Sequence, residues 1–122
     1  MTIEDKRILV VDDDLPQLEA TLEMLGSQGF RYYGTTSEDE ALAFAQAEPL
    51  DALILSLNSS GRALDFLREL RNAKPRLRVL VTADYASAAR SSAIRVSGAS
   101  SILHRPYSAK SLSDAMHTLL TK

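Results

Sequence analysis

Three aspartates, Asp12, Asp13 and Asp14, stand in a row directly behind the apolar run ILVV (8–11). A second stretch, DALILSLNSSG (51–61), runs apolar from Ala52 to Leu55, reaches Ser56, and continues as a polar loop to Gly61. Thr82 ends a third run, RVLV (78–81), and Arg105–Pro106 follow a fourth, SILH (101–104). Carboxylates crowded at a strand end repel one another. Two of them about 4 Å apart cost on the order of 4 kcal/mol at an effective dielectric near 20, so a cation or a donor is expected beside them. A hard divalent ion such as Mg²⁺, which takes oxygen ligands, would serve, and so would a basic side chain. Asp14, just before Leu15–Pro16, suits a helix N-cap. Asp12 and Asp13 are therefore the candidate metal ligands. Ser56 is a hydroxyl at a strand end, and a serine is a poor nucleophile without a base beside it. His104, on an adjoining run, reads as an ordinary strand-end residue rather than that base.

These residues must be held by the elements that precede them. Apolar runs recur at ILVV (8–11), FRYYGT (30–35), ALIL (52–55), RVLV (78–81) and SILH (101–104). Three are nearly continuous rather than alternating, as in strands buried on both faces. Helical stripes lie between them. Leu15, Leu18, Leu22 and Leu25 form the first, and Ala41, Leu42 and Ala45 a short second opened by a capping box of Ser37 and Glu40. Leu64, Leu67 and Leu70 form the third. Ala86, Ala89, Ala93 and Val96 form an alanine-rich fourth, and Leu112, Ala115, Met116 and Leu119 the fifth. Gly26 and Gly29, Pro75, and Gly98 mark the ends of the first, third and fourth helices. The order is βα repeated five times, which right-handed crossovers fold into a doubly wound parallel sheet. Ligands of such sheets gather outside the carboxyl ends of the strands. That is where Asp12, Asp13, Ser56, Thr82 and Arg105 fall.

Bulk properties narrow the field. At 122 residues the chain is expected to form one domain, 1–122, around one core. A net charge of −2 argues against a nucleic-acid or membrane-surface binder. The absence of cysteine excludes disulfides and thiolate chemistry. No apolar run approaches the roughly 20 residues of a membrane span, and the N-terminus carries no apolar leader core, so a cytoplasmic protein is expected. The segment 62–78 carries six basic residues tempered by Asp65 and Glu69, and reads as a solvated helix face without the aromatics that stack on nucleic acid. GSQG (26–29) follows a helix rather than a strand and is no phosphate cradle.

Taken together, ILVVDDD, DALILSLNSSG, VLVTA and SGASSILHRPY resemble the response-regulator receiver domain of two-component signalling over residues 6–121. The resemblance implies a flavodoxin-like three-layer sandwich with a five-stranded parallel sheet. It implies a signalling module rather than an enzyme. It places the phospho-accepting position on Ser56, where the family has aspartate. The metal-binding acids fall on Asp12 and Asp13, and the phosphate-pocket hydroxyl and base on Thr82 and Arg105, where lysine is usual. The aromatic switch position falls on Ile102, and Ser60 replaces the proline often found before Gly61. The Arg105–Pro106 bond is expected to be cis.

The departures imply a degenerate receiver that works without phosphorylation. No cofactor is required, and Mg²⁺ held by Asp12 and Asp13 alone would bind weakly, because even outer ligands are worth roughly 10–100-fold in affinity. Arg105 is expected to neutralise Asp12 or Asp13 instead. The partner would be a histidine kinase, an output domain or another signalling protein. It would dock on the fourth helix, fifth strand and fifth helix around Ala86, Arg90, Ile102 and Tyr107. One alternative is a switchable receiver phosphorylated on another acid. Another is a small aspartate-dependent phosphatase of the haloacid-dehalogenase type, on the strength of Asp12-x-Asp14 and Thr82. Against the latter stand Pro16, the short chain and the lack of a late acidic pair.

Overall fold

The structure, a computed structural model, describes residues 5–58, 62–84 and 88–121. Gly61, Ser60 and Ala86 lie outside the described residues. Five strands alternate with five helices: β1 (Arg7–Val11), α1 (Leu15–Ser27), β2 (Arg31–Thr35), α2 (Glu38–Ala47), β3 (Ala52–Leu57), α3 (Arg62–Ala73), β4 (Arg78–Asp84), α4 (Ala88–Val96), β5 (Ser101–Arg105) and α5 (Ala109–Leu120). The strands form one parallel sheet in the order β2-β1-β3-β4-β5.

The near-continuous apolar runs form the inner strands because both of their faces are covered. Leu9, Leu53, Leu55, Val79 and Val81 pack on one side against Ala41, Phe66, Leu67, Leu70 and Ile94 of α2, α3 and α4. Ile8, Val10, Ile54 and Leu80 pack on the other against Leu18, Leu25, Leu112, Met116 and Leu119 of α1 and α5. The result is the expected three-layer sandwich. β2 is an edge strand and largely exposed, with Tyr32 and Tyr33 on its surface.

Local signals hold at several ends. Asp14 caps α1, accepting from the Gln17 N–H at 3.1 Å. Ser37 caps α2, accepting from the Glu40 N–H at 3.2 Å. The reciprocal half of that capping box is absent: the Glu40 carboxylate accepts instead from Thr35 Oγ1 at 2.8 Å. Gly29 and Gly98 adopt φ of 91° and 127°, where a side chain would be strained. The α1 helix ends at Ser27, between Gly26 and Gly29.

Two helical faces differ from the apolar stripe. In α1, Leu15 is 53% exposed and Thr21 is buried in its place. The Thr21 hydroxyl is satisfied by the Gln17 carbonyl at 3.1 Å and Tyr107 Oη at 2.9 Å. In α4 the inward residue is Ile94, fully buried, whereas Ala89 and Ala93 are exposed and Val96 is 86% exposed. Ile94 and Val96 lie about 200° apart on the helix, so only one can face the sheet, and burying the isoleucine removes more apolar area from water than the alanines would.

Candidate functional site

The carboxyl ends of β1, β3, β4 and β5 bring Asp12, Asp13, Ser56, Thr82 and Arg105 to one edge of the sheet. Ser56 and Thr82 are direct register partners, and Thr82 pairs with Leu103. Period-two alternation then places Ser56, Thr82 and Arg105 on one side of the sheet. His104 is in register with Ala83, on the other side from Ser56. It is not positioned as a base for the Ser56 hydroxyl.

The acidic half of the site is closed by an amide. Asp12 is 3% exposed, and its Oδ1 accepts from the Asp14 N–H at 2.9 Å and from Asn58 Nδ2 at 3.1 Å. The same Asn58 nitrogen also donates to Asp13 Oδ1. One neutral carboxamide is thus shared by both acids.

The basic half is closed by Arg105, whose side chain is 13% exposed. Its guanidinium donates through Nη1 to Ser56 Oγ, through Nη2 to the Leu57 carbonyl at 2.6 Å, and through Nε to Asp84 Oδ1 at 3.2 Å. Its bond to Pro106 is cis, as the resemblance implied. The expected pairing of Arg105 with Asp12 or Asp13 does not form. The strand order gives the reason: β5 lies three strand spacings from β1, roughly 14 Å at about 4.8 Å per spacing, beyond the reach of an arginine that bonds to β3 on the way.

Beside the acids opens a cavity of about 400 Å³, lined by Asp13, Thr36, Glu38, Ser56, Asn58 and Arg62. Burial pushes the Glu38 carboxyl pKa up, and the negative charge of Asp13 adds to the effect, while Arg62 works against it. Ile102 is half-buried, in register with Val81, and packs against the core beneath α2, α3 and α4.

The sequence reading does not single out Asp84, Glu38 or the side-chain amide of Asn58, and it takes Arg62 only as part of a solvated basic face. Asn58 and Asp84 each lie two residues beyond a strand-end position, Ser56 and Thr82, so a wider reading of the strand ends would have found both.

A family model described as response regulator receiver domain matches residues 8–117. The chain belongs to this family. Receivers are signalling modules of two-component systems rather than enzymes. The photosynthetic apparatus regulatory protein RegA of Cereibacter sphaeroides is 32% identical over 119 residues, covering 97% of this chain and 63% of the relative. The RegA of Rhodovulum sulfidophilum is 28% identical over 114 residues, covering 93% and 62%. The receiver chain thus spans less than two thirds of the length of both relatives. Among solved structures, Vibrio cholerae chemotaxis protein CheY4 superposes with a TM-score of 0.87 at 21% identity, covering 95% of this chain and 99% of that one. A response regulator receiver domain protein from Clostridium thermocellum gives 0.82 at 25% identity, covering 95% and 94%. The fold is that of CheY-like receivers. Among the described residues, no helix is long and apolar enough to cross a membrane.

Proposed function

We propose that this receiver takes no phosphoryl group at the end of β3 and acts as a protein-interaction module whose state is fixed or set by a partner. The observation that carries the reading is Ser56. It stands where the family has its acceptor aspartate, and its hydroxyl accepts from Arg105. An acyl phosphate needs a carboxylate, and among the described residues no base hydrogen-bonds to the Ser56 hydroxyl to make it a substitute. Asp12 and Asp13 share the Asn58 amide, and Mg²⁺ binding there is weak in this reading because a third carboxylate ligand is missing. Thr82 and Arg105 keep the positions of a phosphate pocket without its usual occupant. Ile102 has no ring to swing between an outward and an inward state, and a branched side chain is stiff at χ1. A ligand can bias a two-state element only if both states exist.

The partner is a histidine kinase, an output domain or another signalling protein in the cytoplasm, meeting the face of α4, β5 and α5. Val96 and the exposed side of α4 around Arg90 support this face, along with the half-buried Ile102 and Tyr107. Charge reversal at Arg90 is expected to weaken complexes formed through it.

Incubation with acetyl phosphate and Mg²⁺, followed by intact mass measurement, tests the reading. The expected result is an unchanged mass. A stoichiometric phosphoryl adduct released by hydroxylamine would overturn it, since hydroxylamine cleaves acyl phosphates and leaves serine esters intact.

A further inference from the structure

The basic segment 62–78 is sorted by the fold into separate roles. Arg62 lines the acidic cavity, and Arg68 pairs with Asp65 at 3.1 Å. Arg71 is not on a solvated face. Its Nη1 donates to the carbonyls of Lys74, Pro75 and Leu77 at 3.3, 3.0 and 2.6 Å, and its Nε and Nη2 donate to the Gly98 carbonyl at 3.2 and 2.6 Å. Burial pushes its guanidinium pKa down. The loop between α3 and β4 is thereby pinned from behind.

The remaining three cations, Lys74, Arg76 and Arg78, line a cavity of about 390 Å³ at the amino ends of β3 and β4, at the opposite end of the sheet from Ser56. Ala45, Leu50 and Leu77 give it an apolar floor. One carboxylate, Asp51, also lines it, but that charge is already met: it accepts from the Arg7 N–H at 2.8 Å and lies 3.7 Å from Lys6 Nζ. Among the described residues no carboxylate pairs with Lys74 or Arg76. The charges of Lys74 and Arg76 are thus open to an anion seated in the cavity.

We propose that this cavity binds a small organic phosphate, a phosphate monoester with a compact body of mononucleotide size. The cations take the phosphate, which accepts charge-assisted hydrogen bonds. The apolar floor takes the body. The volume lies within the range of about 300–1,000 Å³ common to small-molecule sites. A loop already fixed by Arg71 loses little freedom on binding, which favours affinity. The site is independent of the carboxyl-end site and of the reading given for it.

The test is an amide NMR titration of the 122-residue chain with AMP and, separately, with inorganic phosphate. The expected result is saturable AMP binding with Kd below about 1 mM, with shifts confined to Ala45, Leu50, Asp51 and 74–78. Inorganic phosphate, lacking a body for the floor, is expected to bind at least about tenfold more weakly. The double variant Lys74→Gln/Arg76→Gln keeps its melting temperature, because both side chains project from a surface loop, and loses at least about tenfold in AMP affinity. Shifts that fail to saturate or that are as large at Arg90 and Arg95 would overturn the proposal. So would equal binding of inorganic phosphate, or a folded double variant with unchanged affinity.

Discussion

The two halves of the strand-end site are closed in opposite ways. On β1, two acids remain and are held by a neutral group, the Asn58 amide. On β3, β4 and β5, a cation remains and is spread over three acceptors, a hydroxyl, a carbonyl and the carboxylate of Asp84. The halves do not pair with each other, although their charges are opposite. A carboxylate at position 56 would stand between them and draw on both. A serine there has no charge to offer either, so each half has closed on local partners. Complementary charges at one sheet edge do not become a salt bridge unless the strand order brings them into reach.

The substitution with the largest expected effect restores the link. In Ser56→Asp, Mg²⁺ affinity measured by NMR or calorimetric titration should rise by about 10–100-fold, because a third carboxylate joins Asp12 and Asp13. Unchanged affinity would place control of the acidic half with Asn58 instead. Arg105→Ala should follow in size. It removes three donations in one change and leaves the Leu57 carbonyl short of a partner, for a loss of about 2 kcal/mol in denaturant unfolding. Arg105→Lys should recover less than half of that, since an ammonium lacks the planar fork.

Asn58→Ala attacks the other half. It should cost about 1 kcal/mol by exposing the Asp12–Asp13 repulsion, and millimolar Mg²⁺ should return part of the loss. If Mg²⁺ has no effect on the variant's stability, the acids are held apart by something other than the amide. Asp84→Ala should cost under about 0.5 kcal/mol, because its carboxylate is 87% exposed and screened by solvent. A larger loss would mean that Asp84, not β3, sets the position of Arg105.

The smallest effect concerns pH. The folded-state pKa of Glu38 is raised by burial and by Asp13, so the folded chain holds that proton more tightly than the unfolded one. Its contribution to stability is fully present below the unfolded carboxylate pKa and is lost as pH rises through the folded value. Glu38→Gln should therefore gain stability relative to the parent between about pH 4 and 7, with no difference at the acidic end of thermal melts. A constant difference across that range would remove ionisation of Glu38 from the account.

The sequence by itself determined the strands that are buried on both faces, because nearly unbroken runs such as ALIL and RVLV leave no polar side to expose. It also determined the caps at Asp14 and Ser37, whose hydrogen bonds reach only three residues along the chain. It marked the edge where Asp12, Ser56, Thr82 and Arg105 meet, because the carboxyl ends of parallel strands share one side of the sheet. The tertiary structure decided the rest. Which face of α4 turns inward was settled by Ile94 against Val96, two positions that cannot both meet the sheet. Arg71 became the pin of a loop because Gly98, 27 residues on, presents its carbonyl there. Arg105 meets Ser56 and not Asp12 because β3 and β4 stand between β5 and β1. These outcomes depend on distances between elements remote in the chain, and only the packed sheet supplies those distances.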